Sequence, residues 1–143
     1  MQYLPEVAII ISLTSLFFTL RNSRFNNRVK IIEAKNSMLI VLSDLALSHT
    51  RNIAFHSEIH RKASRMHHPE ILRFSEDVGE KLDFLKGNID RMYELTKNLK
   101  DKDVITGYEI VYPEIKRLRD DSTQVFELLS VASAKYAQVL AKA

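Results

Sequence analysis

At 143 residues the chain is the size of one domain, and three glycines and three prolines are too few for the many turns of an all-β or α/β fold. Without cysteine it has no disulfides, thiol nucleophiles or thiolate metal sites. The net charge of +3 resides entirely in residues 1–30; residues 31–143 hold 17 basic and 17 acidic side chains, leaving no overall field to draw the protein onto duplex nucleic acid.

The first element is apolar. Tyr3 to Leu20 reads YLPEVAIIISLTSLFFTL, with Glu6 as its one charge and Pro5 where a first-turn proline is tolerated. Eighteen residues at a rise of about 1.5 Å reach roughly 27 Å, close to the hydrocarbon thickness of a bilayer. A signal peptide would need a basic leader and a small-residue cleavage site; MQYLPE has no basic residue, and RNSRF follows the run. A buried core helix is the other alternative, because the strictly uncharged stretch, Val7 to Leu20, is 14 residues long. The run reads as a transmembrane anchor over residues 1–24, in contact with membrane lipid. Arg21, Arg24 and Arg28 follow at once, so the positive-inside rule predicts a single-pass protein of the bacterial inner membrane, N-terminus out, with residues 25–143 as a cytoplasmic helical domain. Ser12, Ser15 and Thr19 form a small hydroxyl strip on this helix. Their hydroxyls either meet neighbouring membrane helices or bond back to a carbonyl one turn earlier.

NSRFNN, Asn22 to Asn27, is the expected bend after the membrane. Beyond it Met38, Leu42, Leu45, Ala46, His49, Ile53, His56, His60, Ala63 and His67 share one helical face, with His49, His56, His60 and His67 inside about 40° of arc. Pro69 ends that helix and begins the next. Ile71, Val78, Leu82, Leu85, Ile89, Met92 and Leu99 keep their phase through Gly79 and Gly87, which predicts one helix to about Lys100. Lys100–Gly107 is a polar turn, and VITGYEIVY, Val104 to Tyr112, alternates loosely enough to be extended before Pro113 opens the last helix. Ile115, Leu118, Val125, Leu129, Ala132, Tyr136 and Val139 are its buried stripe. The expected fold is therefore all-α: one N-terminal transmembrane helix, then a bundle of about three long helices that bury their stripes together.

His49 to Arg73 holds all five histidines and five Arg or Lys against Glu58 and Glu70, so any anion site belongs there. His56 and His60 are spaced to share a metal, but a metalloprotease motif needs Glu directly after the first His, and Ser57 stands there; no metal ligand and no cofactor are assigned. No GxSxG elbow and no glycine-rich phosphate loop occurs, so the chain does not read as an enzyme. Ser57, Arg61, Ser64 and His68, beside His60 and His67, place hydroxyls, a guanidinium and imidazoles in one strip, a donor set suited to phosphate. Against it stands the plain amphipathic boundary, where such residues collect anyway.

Two functions follow. One is an oligomeric signalling effector whose helical domain binds an anionic nucleotide-type ligand; the other is a membrane-tethered helical scaffold with no small ligand. An anchor such as Tyr3–Leu20 joined to a small Cys-free helical domain with a His/Arg strip resembles the small membrane effectors of type III CRISPR antiviral defence. The resemblance is one of architecture over the whole chain. It implies a homo-oligomer, a cyclic oligoadenylate ligand shared between subunits, and action on the membrane.

Overall fold

A computed structural model describes residues 4–141 of the chain, with side chains from residue 11 onward. It contains α1 (Leu4–Met66), α2 (Pro69–Asn98), a 3-10 turn (Asp101–Asp103), α3 (Val104–Lys135) and α4 (Ala137–Leu140). The all-α class stands; of the four α-helices among the described residues, three are long and α4 is a short fourth.

α1 and α2 form a hairpin joined by His67 and His68. The cross-contacts set its direction: Lys35 of α1 reaches the end of α2, and His56 reaches Ser75 near its start. α3 then runs parallel to α1, Ser48 meeting Ser122 and Phe55 meeting Phe126. The topology is up-down-up, with α1 packed on both other helices. Met38, Leu42, Leu45, Ile59 and Ala63 of α1 close on Ile71, Val78, Leu82, Leu85, Ile89 and Met92 of α2 and on Val104, Ile115, Leu118, Val125 and Leu129 of α3. Burying a Leu or Ile contributes about 1.5–3 kcal/mol of transfer free energy, so these helices are held by their shared face rather than by propensity. α2 passes through Gly79 and Gly87 without a break, as its phase requires.

The hairpin turn is a Schellman motif. His67 sits at φ 53°, its N–H donates to the Ser64 carbonyl at 3.3 Å, and the His68 N–H donates to the Ala63 carbonyl at 3.3 Å. His68 is extended, as a residue before proline must be, and Pro69 opens α2 without needing a hydrogen bond of its own. At the opposite end the Lys35 ammonium donates to the carbonyls of Lys97 and Leu99 at 3.3 and 3.2 Å, capping α2 from another helix.

Three expectations are corrected. Among the described residues no helix is long and apolar enough to cross a membrane. The transmembrane anchor over residues 1–24, the single-pass placement in a bacterial inner membrane and the contact with membrane lipid are therefore withdrawn. Ser12, Thr14, Ser15 and Thr19 interrupt the apolar run and lower its mean hydropathy. Tyr3 lies outside the described residues, as do the side chains of Pro5 and Glu6. The Thr19 hydroxyl donates back to the Ser15 carbonyl at 2.8 Å, the local alternative for that strip.

Second, α1 does not bend at Asn22–Asn27 but continues as one helix of 63 residues. Asn and Ser lower helix propensity by tenths of a kcal/mol, too little to break a helix anchored on one side by packing. Third, VITGYEIVY is helical, and Pro113 lies inside α3 rather than at its start. The proline removes one N–H that would have bonded to the Glu109 carbonyl. Val104, fully buried, and the half-buried Tyr108, Val111 and Tyr112 hold the preceding turns against the core.

Candidate functional site

The histidines divide between packing and polar pairing. His49 is 6 % exposed within the core, and neither ring nitrogen has a hydrogen-bond partner. Burial, reinforced by the Lys86 ammonium and only partly opposed by Asp90 and Asp83, holds its imidazole below the ordinary value. Two turns on, the rings of His56 and His60 stack with centroids 6.0 Å apart, and both turn to the buried Ser75 of α2. The His56 Nε2 lies 2.7 Å from the Ser75 carbonyl, which can only accept, so that nitrogen carries the proton. Ser75 Oγ lies 3.0 Å from the same nitrogen and 3.1 Å from His60 Nδ1, to which it is free to donate. A continuous chain of hydrogen bonds thus runs His56 to Ser75 to His60 across the α1–α2 seam.

A serine beside two imidazoles has the parts of a nucleophile and its base. Ser75, however, has no exposed surface, so no substrate carbonyl reaches its Oγ. Among the described residues no group of three or more His, Cys, Asp or Glu side chains is placed to hold a metal ion. The arrangement pins two helices together.

Of the six residues expected to hold an anion, Ser57, Arg61 and Ser64 share one exposed strip of α1. His60, though exposed, is committed on one side to Ser75. His67 is the left-handed turn residue, and the half-buried His68 faces Tyr136, ring centroids 6.0 Å apart, with its Nδ1 unpaired. The strip is therefore split between solvent, an interhelical network and a turn.

Polar residues outside the histidine segment carry the other seam. Asn52, 1 % exposed, donates through Nδ2 to the Ser122 carbonyl at 2.8 Å and lies 3.2 Å from Ser122 Oγ, which also meets Ser48 Oγ at 3.2 Å. The sequence held a signal for these. Each seven-residue step in the apolar stripes, Ile71 to Val78, Met92 to Leu99 and Leu118 to Val125, passes over a buried polar residue: Ser75, Thr96 and Ser122, all 0 % exposed.

The first part of α1 stands clear of the other helices. Leu4 to Arg28, about 37 Å of helix, extends past the end of the bundle, because α2 ends and α3 begins opposite Lys35. Every residue from Ile11 to Arg28 is exposed. Ile11, Leu13, Leu16, Phe17, Phe18, Leu20 and Phe25 are each 54–64 % exposed and cover most of the helix, leaving one side, about 140° wide, to Ser12, Ser15, Thr19, Asn22, Ser23 and Asn26. Arg21, Arg24 and Arg28 lie within about 60° of arc beside them. A helix with so broad an apolar face is stable only when that face is covered.

Compared with known proteins, the chain matches no family model, no curated protein and no solved structure. The likeness to the membrane effectors of type III CRISPR defence finds no support there, and the anchor on which it leaned is withdrawn.

Proposed function

We propose that the protein is a self-associating helical interaction protein, a non-enzymatic scaffold whose contact element is the projecting arm of α1. The observation that carries this is the exposure of the arm. Seven large apolar side chains at roughly 100 Å² each present about 700 Å², more than the largest apolar patch of a typical monomer and close to one partner's share of a standard interface. Apolar surface over more than half of one helix's circumference favours several contacts over one, as in an oligomer. The buried polar seams, His56–Ser75–His60 and Asn52–Ser122–Ser48, suit a rigid carrier: they fix the register of three helices whose apolar stripes alone would tolerate sliding.

Sedimentation velocity of the full chain from about 1 to 100 µM tests this. The expected result is a concentration-dependent shift to species larger than the 16.6 kDa chain, abolished by a Leu16→Glu, Phe17→Glu double variant. A single 16.6 kDa species across the whole range would overturn the proposal.

A further inference from the structure

On the outer side of the bundle, between α2 and α3, runs an open groove of about 590 Å³. Its floor is Leu85 and Val125, both nearly buried, and Phe84 (68 % exposed) and Leu128 (40 % exposed) are its apolar walls. Around them stand Asp77, Glu80 and Asp121, against the single cation Lys81. The groove is apolar at its base and net negative at its rim.

The arm of α1 is the reverse. Between Glu6 and Glu33 the chain has no acidic residue and four basic ones, Arg21, Arg24, Arg28 and Lys30. Phe17, Leu20 and Phe25 flank the arginine strip, and these six side chains (the three arginines and the three apolar ones) share one side of the helix. We infer that the α2–α3 groove of one copy receives the basic, apolar arm of a second copy, with Phe17, Leu20 and Phe25 against Phe84 and Leu128, and Arg21, Arg24 and Arg28 against Asp77, Glu80 and Asp121. The inference rests on the self-association proposed above and names the surface that receives the arm.

Geometry makes the donor a neighbour. The arm leaves the bundle at the end where α2 stops, and it is the straight continuation of α1, without a proline or glycine from Glu6 to Met66. It does not turn back to its own groove, which lies further along the bundle at residues 77–85 and 121–128. Donor and acceptor surfaces are different patches. Two copies therefore close by exchanging arms about a two-fold axis or, where that does not close, each copy offers its own arm onward and the assembly grows head to tail into a ring or a filament. Lysines or arginines meeting a desolvated acidic rim also set register and partner choice, since a like-charge pairing is penalised.

The test uses two full-length variants. One carries Arg21→Glu, Arg24→Glu and Arg28→Glu and keeps its groove; the other carries Asp77→Lys, Glu80→Lys and Asp121→Lys and keeps its arm. All six positions are at the surface or half-exposed, and circular dichroism with thermal unfolding confirms that each variant folds. In sedimentation velocity the wild type is expected to assemble, and each variant alone to lose at least tenfold in association. A one-to-one mixture is expected to recover assembly with the two variants alternating, because the arginine arm meets the acidic groove and the glutamate arm meets the lysine groove. Raising salt from about 0.05 to 0.5 M weakens wild-type assembly, as screened charges require. If the wild type assembles and the groove variant assembles as well as it does, the arms meet one another and the groove assignment fails while self-association stands. If the mixture stays monomeric, the assignment fails too. A monomeric wild type overturns the self-association proposal itself.

Discussion

Replacing His49 by leucine is expected to raise stability at neutral pH and to remove part of the protein's acid sensitivity. The imidazole is 6 % exposed and both nitrogens are unpaired. A neutral ring carries one donor and one acceptor, and an orphaned buried polar group costs about 1–3 kcal/mol. Leucine has similar bulk and no polar atom, so the expected gain is about 1–2 kcal/mol, or roughly 3–8 °C in Tm for a chain of this length. The acid effect has a definite sign. The folded ring titrates below the ordinary 6.5 because of burial first and Lys86 second, whereas the unfolded ring titrates at its ordinary value. The contribution of His49 is therefore intact above about pH 6.5 and is lost as the pH falls from there towards the lowered folded value, since only the unfolded chain gains the proton. Urea unfolding at about pH 7.5 and 5.5 reads both quantities, with the m-value as a check on two-state behaviour. A His49→Leu protein less stable than wild type at the higher pH, or one with an undiminished loss between the two, would refute this account of the site.

Two further substitutions probe the ends of the hairpin. His67→Gly relieves a left-handed conformation costing a non-glycine residue about 1–2 kcal/mol and returns about 0.5–1 kcal/mol as unfolded-state entropy, so the urea midpoint should rise by the equivalent of about 0.5–1 kcal/mol; a lowered midpoint would show that the imidazole itself holds the turn. Lys35→Met keeps the aliphatic stem but removes the two bonds to the last carbonyls of α2, and should cost about 1 kcal/mol and speed hydrogen exchange in the final turn before Asn98; unchanged exchange there would mean the ammonium caps nothing in solution.

The periodic parts of the fold were legible. Pro69 marked the hairpin, and the phase of Ile71 to Met92 carried α2 through two glycines, because spacing decides which residues face the partner. The N-terminal run was not, because fourteen uncharged residues look alike whether their surroundings are lipid or protein, and hydropathy carries no information on what surrounds a helix. Pro113 misled for a related reason. A proline signals a boundary only when the preceding turns have nothing else to hold them, and Val104 was already buried. At the candidate site the histidine stripe was correctly placed on the inward face at His49 and His56, but its partners were out of reach of local spacing. Ser75 stands 19 residues from His56, and Ser122 stands 70 from Asn52. What local spacing did contain was the missing beat in each stripe, where Ser75, Thr96 and Ser122 replace an expected aliphatic side chain.

α1 belongs at once to the projecting arm and to the core, as a single rod about 95 Å long. Such a rod acts as a lever and an axle together. A neighbour that grips it near Leu16 holds the core by a rigid handle, and torque applied there arrives at Met38 and His49 without a swivel to absorb it. Subunit orientation is then a matter of residue count: each position between grip and core rotates one against the other by about 100°, so the spacing from Arg28 to Met38 acts as a ruler for the whole assembly.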